Sequence, residues 1–482
     1  MDDAAVVNPF TFLERNAKSN PSGIFLASPD QTLTNSEAHT SAKQIAFELR
    51  RLGVKPGDLV AIDVPEILCI LFYQALFHEA AAVTVLPKGY VHDGSFEIDW
   101  MFSSAAEPPQ GARQLVAVDT AFLGHIDENP TGISPREYES GDSLFRVTFS
   151  SGTTGRPKAI ASNIGAMEDY TADSLATWMR GDPFVSFLGA ASPLGIFAVH
   201  LSVVTERPYL ALGANVPATT IDLISKYRAT SIKASPAQLA SLVAELEKQN
   251  RTLPDLETVY TVGTSMPPAL STRLRAATAG CEIFALYGST EAGMSFARYY
   301  DTDDPFDVGH VFPGVSFEIV DDDDKPLADG ETGRIRVKGP LMSHEYLGDT
   351  TENLDVFRDG WFYPGDLGFI RPDGGLSLAG RFSELINAGG VKIDPNRIDL
   401  FAVAQPHVKD AASFGYTNSA GVKQVGIALV TDDEIDVQDL IRRLEKEFGY
   451  AAPKLVARID AIPRNAMGKP LRLDLAEKYK ES

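Results

Sequence analysis

The chain has 482 residues, of which 44% are hydrophobic and 22% charged, and its 65 acidic against 43 basic side chains leave a formal net charge of -22. At roughly 150 residues per folding unit this suits a globular protein of about three units, which excludes a small binding module. Like-charge repulsion also excludes a general nucleic-acid or anionic-membrane surface, while a local basic pocket for a phosphorylated ligand stays compatible with it.

In chain order, Ala42, Ile45, Ala46 and Leu49 fall at helical spacing, Gly53 ends that helix, and Pro56-Gly57 turns the chain into apolar Leu59–Ile62. A second helical pattern covers Ile67–Ala80. From Pro183 to Thr205 no Asp, Glu, Lys or Arg occurs, a length near the ~20 residues of a membrane helix. Pro193, with Gly189 and Gly195 around it, interrupts the run and predicts a buried strand at Phe184–Leu188 and a helix at Ile196–Val204, with no membrane span. His200 falls on that apolar helix and reads as a core histidine. Helix Ile221–Tyr227, strand Ser231–Ala234 and helix Ala237–Glu247 continue an alternation that predicts an α/β layered sheet. Val315–Val320 and Arg334–Lys338 alternate apolar and polar residues, the pattern of an antiparallel hairpin. The intervening Asp321–Asp324 lack the spacing of a calcium loop and read as a solvated turn. After Gly380 comes a small α/β pattern: strands Ala411–Tyr416, Val425–Val430 and Leu455–Ile459, and a helix capped by Asp436 with Leu440 and Leu444 on one face. The predicted domains are residues 1–382 and 383–482.

The two cysteines, Cys69 and Cys281, cannot build a disulfide framework or a thiolate zinc site. Met1–Phe10 carries no basic start followed by an apolar run, so no secretory signal is legible and a reducing, cytoplasmic setting is expected.

The stretch Phe149-Ser-Ser-Gly-Thr-Thr-Gly-Arg-Pro-Lys158 carries the most chemistry. Small residues let the backbone approach an anion, hydroxyls and N–H groups donate to it, and the terminal cations add charge, as a nucleotide triphosphate requires. It is not the common P-loop, because Lys158 precedes Ala159 where that motif needs Ser or Thr. No Gly-x-Ser-x-Gly elbow supports a serine hydrolase.

This string resembles the signature of the adenylate-forming superfamily, which includes acyl-CoA and aryl-CoA synthetases, peptide-synthetase adenylation domains and luciferases. Ala285-Leu-Tyr-Gly-Ser-Thr-Glu-Ala-Gly293, Trp361-Phe-Tyr-Pro-Gly-Asp366, Gly380-Arg381 and Pro463-Arg-Asn-Ala-Met-Gly-Lys469 resemble further family motifs in order, so the likeness spans most of the chain. The resemblance implies an α/β fold with a large N-terminal domain of layered sheets plus a small barrel-like part, and a small mobile α+β C-terminal domain. It implies joining of a carboxylate to AMP with release of pyrophosphate, then displacement of AMP by a thiol. Ser150, Ser151, Gly152, Thr153, Thr154 and Gly155, with Lys158, would hold the β- and γ-phosphates. Thr290 would contact the α-phosphate and Glu291 would hold Mg²⁺. Tyr287 and Gly288 would lie beside adenine, Asp366 would accept from the ribose hydroxyls and Arg381 would assist. Lys469 would stabilise the charge that gathers as the acyl-adenylate forms.

Because Lys469 lies on the small domain, the resemblance implies rotation about a hinge between half-reactions. The hinge position holds Ser383 where the family usually has Asp or Lys, and Gly389 and Gly390 match the loop lining the thiol tunnel. Arg397 stands where Glu is common. For the acid, Ser192, Gly195, Ile196, Gly263, Thr264 and Ser265 form the implied pocket, with Gly195 leaving room for the substrate. No aspartate is placed to pair with an amine, so the expected substrate is a carboxylic acid without a free α-amine, aromatic or medium in length. ATP, Mg²⁺ and coenzyme A are the expected cofactors. One alternative is a standalone enzyme loading a carrier-protein phosphopantetheine or an amine; a more distant one is a noncatalytic nucleotide-binding protein. Lys392, Lys423, Arg442 and Arg443 offer a local patch for polyanionic coenzyme A.

Overall fold

The computed structural model describes residues 6–479 apart from 87–89, 91, 93, 129, 151–156, 178–183, 188, 190, 191, 213–216, 264, 265, 300–303, 305, 344, 349–352, 389, 433 and 465–469. The expected α/β class is borne out, in two large sheets with helices between and around them. The first helix pattern becomes Asn35–Leu52. Thr34 accepts from the Glu37 amide while Glu37 accepts from the Thr34 amide, and Gly53 ends the helix at φ 106°. Its apolar positions Ala42, Ile45, Ala46 and Leu49 are all buried.

In the six-stranded sheet, strands run in the order Ala112–Ala117, Ile98–Ser103, Leu59–Asp63, Ala82–Thr84, Leu144–Ser150 and Lys158–Asn163. All neighbours are parallel except the last pair. The fifteen-stranded sheet has a parallel centre: Ile24–Ala27, Tyr209–Ala211, Phe184–Ser186, Ser231–Ala234, Thr258–Val262 and Glu282–Ser289. In the charge-free segment the strand Phe184–Ser186 lies inside this sheet and the helix Pro193–Val204 is buried from Gly195 to Val203, as expected of a buried strand and helix. Among the described residues no helix is long and apolar enough to cross a membrane.

One core joins the sheets. It packs Ile62, Phe102 and Phe145 of the smaller sheet with Tyr209, Tyr260 and Leu286 of the larger, through helices Asn35–Leu52, Glu66–His78 and Pro193–Val204. Apolar burial, at roughly 25 cal/mol per Å², holds the two sheets against each other. The opposite face of the parallel strands is covered by helices Pro217–Lys226, Pro236–Gln249 and Pro268–Ala276.

The antiparallel strands between Asp307 and Arg381 continue the larger sheet, because Asp307–Val311 pairs with both Gly293–Tyr299 and Leu376–Arg381. The expected hairpin is present, with Ser316–Val320 against Gly333–Lys338. Its aspartate turn is only partly solvated. Asp322 is 96% exposed, whereas Asp324 accepts from Arg334 Nη2 at 3.0 Å and Tyr363 Oη at 3.1 Å, and pairs with Arg358.

Residues 386–479 supply every member of two further cores. Val408–Thr417 and Lys423–Thr431 form an antiparallel pair, Leu455–Arg458 lies parallel to the second, and Asp436 caps helix Val437–Phe448 by accepting from the Asp439 amide. Ser383 is exposed in a turn where the Glu384 and Leu385 amides both donate to the Arg381 carbonyl. Lys469 lies outside the described residues, but the flanks of its loop are fastened. Arg464 meets Asp410 at 2.6 Å, the Leu471 amide donates to Pro463 O at 2.8 Å, and Arg472 reaches Ser413 O at 2.6 Å, Asn396 Oδ1 at 2.7 Å and Asp399 Oδ2 at 2.7 Å.

Burial pushes the Asp399 carboxyl up to about 6, with Arg472 and the Ser413 amide offsetting part of that. Removing Arg472 would therefore leave a buried carboxylate uncompensated: Arg472→Met is expected to lose about 3–5 kcal/mol of stability at pH 7, measured by urea unfolding of this segment's probes. The sign for Asp399 itself follows from its raised value. The folded state holds the proton more tightly, so this group's contribution falls as pH rises from 3.8 towards about 6 and is flat above. The stability of Asp399→Asn relative to wild type should rise across that window and stay constant beyond it.

Candidate active site

Several of the expected site residues sit where a hairpin or strand end brings them. Strand Leu144–Ser150 turns back into Lys158–Asn163, and antiparallel register sets Ser150 directly opposite Lys158. The glycine-hydroxyl stretch is the segment that connects these two strands. Ser151, Gly152, Thr153, Thr154 and Gly155 lie outside the described residues. The Lys158 ammonium stands 4.8 Å from the Tyr346 ring centroid.

The second motif is also a hairpin, with Glu282–Ser289 and Gly293–Tyr299 joined by Thr290–Ala292. Gly288 is exposed beside a register shift, Thr290 is half-buried, and Gly293 has φ 68° with Leu341 against it, so a Cβ there would meet Leu341 Cδ1 at 2.9 Å. Glu291 is 8% exposed, and its Oε1 accepts from Tyr346 Oη at 2.9 Å. Tyr346 is pinned in turn: Asn353 accepts from its amide at 2.7 Å and donates to its carbonyl at 3.1 Å, and it bridges to Ile160. Among the described residues no group of three or more His, Cys, Asp or Glu could hold a metal ion. A protein-only cage is therefore absent among them. The single buried carboxylate of Glu291 is of the kind Mg²⁺ takes, since that ion uses one or two carboxylates and completes its shell with phosphate oxygens and water.

The third hairpin, Asp366–Ile370 with Leu376–Arg381, sets Asp366 opposite Arg381. Tyr287 Oη donates to Asp366 Oδ2 at 2.5 Å, and Arg381 Nε lies 3.7 Å from Oδ1. Burial, with the Asp366 charge behind it, raises the Tyr287 phenol well above its usual value and keeps it a donor. The carboxylate is held in place yet 20% exposed, as an acceptor of ligand hydroxyls must be.

In the expected acid region the structure corrects one reading. Gly195 makes no room for a ligand: a Cβ there would lie 1.6 Å from the Gly189 carbonyl oxygen, so the missing side chain admits the chain's own backbone. Ser192 caps the helix by accepting from the Gly195 amide at 2.9 Å, which fixes that approach. Ile196 and Phe197 are buried in the core shared by the two sheets. Gly263 is exposed at the end of strand Thr258–Val262 with φ 97° and open space beside it. Thr264 and Ser265 lie outside the described residues. His200 is buried and burial pushes it down to about 4, so it is neutral, in keeping with a core histidine. Gly390 is exposed in a hairpin turn, its amide donating to Asn387, and Gly389 lies outside the described residues. In the basic patch, Arg442 and Arg443 both pair with Asp439, which weakens its field.

Two residues escaped the sequence reading. Tyr346 carries no motif signal, since its partners are distant in sequence. Lys233 is 1% exposed inside strand Ser231–Ala234; a lysine between two apolar neighbours in a parallel-sheet strand was the available signal. The Gly195 correction has a direct check. Gly195→Ala should cost about 1–3 kcal/mol through the backbone clash, lowering the melting temperature; unchanged melting with altered acid affinity alone would restore the ligand-space reading.

The sequence and fold comparisons agree. A family model described as AMP-binding enzyme matches residues 73–347, more than half of the chain. The chain is 27% identical over 508 residues to an indoleacetate–CoA ligase of Aromatoleum aromaticum, covering 97% of both. It is 27% identical over 521 residues to a medium/long-chain-fatty-acid–[acyl-carrier-protein] ligase of Mycobacterium tuberculosis, covering 97% of this chain and 95% of that one. In fold it matches the O-succinylbenzoate coenzyme A synthetase of Bacillus subtilis in complex with ATP and magnesium ion, with TM-score 0.81, 22% identity, and coverage of 96% of this chain and 98% of that one. The chain belongs to the AMP-binding enzyme family and, with it, to the adenylate-forming superfamily of AMP-forming ligases.

Proposed function

We propose that the protein activates a carboxylic acid with ATP and passes the acyl group to the thiol of coenzyme A. The carboxylate oxygen attacks the α-phosphorus of ATP, the bond to the β-phosphate oxygen breaks, and pyrophosphate leaves. The thiol sulfur then attacks the acyl carbon, the C–O bond to AMP breaks, and the thiol proton passes to solvent. Both steps place growing negative charge on oxygen, which fixed donors and cations stabilise best when already in position. The observation that carries the reading is the chain Lys158–Tyr346–Glu291, which sets a cation over one ring and a carboxylate at that ring's hydroxyl. Ser150 and Lys158 would hold the outer phosphates together with the loop 151–155. Thr290 would meet the α-phosphate. Glu291 would hold Mg²⁺, which supplies charge neutralisation on phosphate oxygens. Asp366, positioned by Tyr287 and Arg381, would take the ribose hydroxyls, with Gly288 beside adenine.

Residues 383–482 would move as a unit about Ser383, bringing Lys469 to the acid and α-phosphate in the first step and Gly389 and Gly390 to the thiol in the second. The relatives named for indoleacetate and for medium- or long-chain fatty acids support an aromatic or medium-length acid. A second reading, transfer to a carrier-protein phosphopantetheine, is favoured by the Asp439 pairing of Arg442 and Arg443 and by the relative named for an acyl-carrier-protein substrate. Incubation with ATP, a panel of acids and either coenzyme A or holo carrier protein separates the two: thioester on the carrier alone would replace the first reading by the second.

Acid-dependent exchange of labelled pyrophosphate into ATP tests the first half-reaction. Lys469→Ala should lower it by about 10²–10³, the usual cost of removing one transition-state donor; exchange at the wild-type rate would reject the lysine's role. Tyr346→Phe keeps the ring beside Lys158 but removes the donor to Glu291. It should raise the Mg²⁺ concentration for half-maximal exchange about tenfold, the scale of one hydrogen bond to a charged group, with a smaller effect at saturating Mg²⁺. An unchanged Mg²⁺ requirement would detach Tyr346 from the site.

A further inference from the structure

Arg397 joins two parts of the chain that build separate cores. It is an exposed residue in the first turn of helix Pro395–Val403, whose buried Ile398 and Ala402 pack in a core drawn from residue 386 onwards. Its partners lie at the antiparallel end of the larger sheet. The guanidinium carbon stands 4.7 Å from the ring centroid of Phe306, and Nη2 donates to the Leu378 carbonyl at 3.5 Å. The Leu378 amide donates to the Phe306 carbonyl at 2.9 Å, so the ring and the accepting oxygen form one fixed surface. An aromatic face attracts a cation through its quadrupole, whereas a carboxylate in the same place would be repelled by ring and carbonyl alike.

A second contact lies at the start of the same helix. Asp394 caps it by accepting from the Asn396 amide at 3.0 Å and is buried against Gly380, where a Cβ would meet Asp394 Cβ at 2.8 Å. Gly380 adjoins the turn at Ser383, so rotation about that turn displaces this contact least. Phe306 belongs to a segment remote from the turn, and the same rotation carries Arg397 off its ring. One contact thus sits by the pivot and the other out along the lever.

The hairpin assigned above to the thiol site shows which orientation the lever contact accompanies. Ile386–Ala388 pairs with Val391–Ile393, and between them Gly390 is exposed with open space beside it, while Val391 is 47% exposed. That turn faces solvent instead of packing on the nucleotide site. Of the two orientations the proposed reaction needs, the second is therefore not the one in which Arg397 meets Phe306.

We infer that the contact of Arg397 with Phe306 and Leu378 holds residues 383–482 in the adenylating orientation and must open before the thiol reacts. The inference rests on the two half-reactions proposed above and makes Arg397 a positioning residue that sets the balance between them.

The ratio of two rates reads that balance: single-turnover thioester formation from enzyme-bound acyl-adenylate, divided by acid-dependent exchange of labelled pyrophosphate into ATP. The acceptor is coenzyme A or holo carrier protein, whichever yields thioester. Each rate scales with the population of its own orientation, so the ratio follows the equilibrium between them. Arg397→Ala and Phe306→Leu should each raise it about three- to fivefold, the scale of one exposed cation–π contact. Combining them should raise it no further, because both remove the same contact. Arg397→Lys keeps a cation over the ring and should stay within about twofold of wild type. A ratio unmoved or lowered by either single variant overturns the inference, as do additive effects in the double variant; acid activation stands in each case. If Arg397→Ala does not fold, Phe306→Leu decides alone. A wild type without acid-dependent exchange, or with exchange but no thioester on either acceptor, is the distinct outcome in which the proposed function fails and this inference with it.

Discussion

The bond from Tyr346 to Glu291, with Lys158 against the same ring, is the constraint on which the site's geometry depends. Lys158 belongs to the six-stranded sheet and Glu291 to the turn closing a hairpin of the larger one. Nothing in either sheet alone sets their separation. The segment 343–347 does so, because Ser343 donates to Ala161 and its amide to the Glu291 carbonyl, while Leu347 donates to Ala159. A triphosphate needs cations and a metal-holding carboxylate at a fixed separation, and a rigid aromatic spacer between two sheets sets one with few rotatable bonds.

The same economy holds around Asp366. Cross-strand register places Arg381 opposite it and the Tyr287 hydroxyl fixes its second oxygen, so the carboxylate is oriented before any ligand arrives. Buried or half-buried charges are costly unless each is matched. In this protein such matched charges include Asp366 with Arg381 at a hairpin end of the site and Arg472 with Asp399 beside the loop expected to carry the reactive lysine, as well as Glu79 with Arg50 and Arg136 far along the chain. The C-terminal segment thus fastens the flanks of that loop with ion pairs, while its own cores supply the packing that lets it keep its shape.

Much of the fold was legible because local chemistry settles it. Gly53 as the end of a helix, Asp436 as an N-cap and Pro193 as the break between strand and helix each act within a few residues, and the structure keeps all three, with the helix beginning at Pro193 itself rather than at Ile196. The family motifs were legible for the same reason, since Ser150 and Lys158, or Thr290 and Glu291, share one hairpin. The remainder depended on contacts that spacing does not encode. Tyr346 and Glu291 are 55 positions apart, and Asp324 reads as one more solvated aspartate until Arg358 and Tyr363 reach it from 34 and 39 positions away. Gly195 shows a subtler limit: a sequence reports that a Cβ is missing, but only the fold reports whether a ligand or the chain's own Gly189 carbonyl occupies the space. Lys233 passed unremarked within a short strand, and its burial came from packing that its neighbours in sequence do not supply.

The most direct measurement is a crystal structure with Mg²⁺ and a non-hydrolysable ATP analogue. The triphosphate should lie between Lys158 and Glu291, the metal should touch the Glu291 carboxylate, and the ribose hydroxyls should donate to Asp366. A nucleotide bound elsewhere, or one in this cleft that leaves Asp366 and Glu291 untouched, would contradict the assignment of this junction as the adenylating centre.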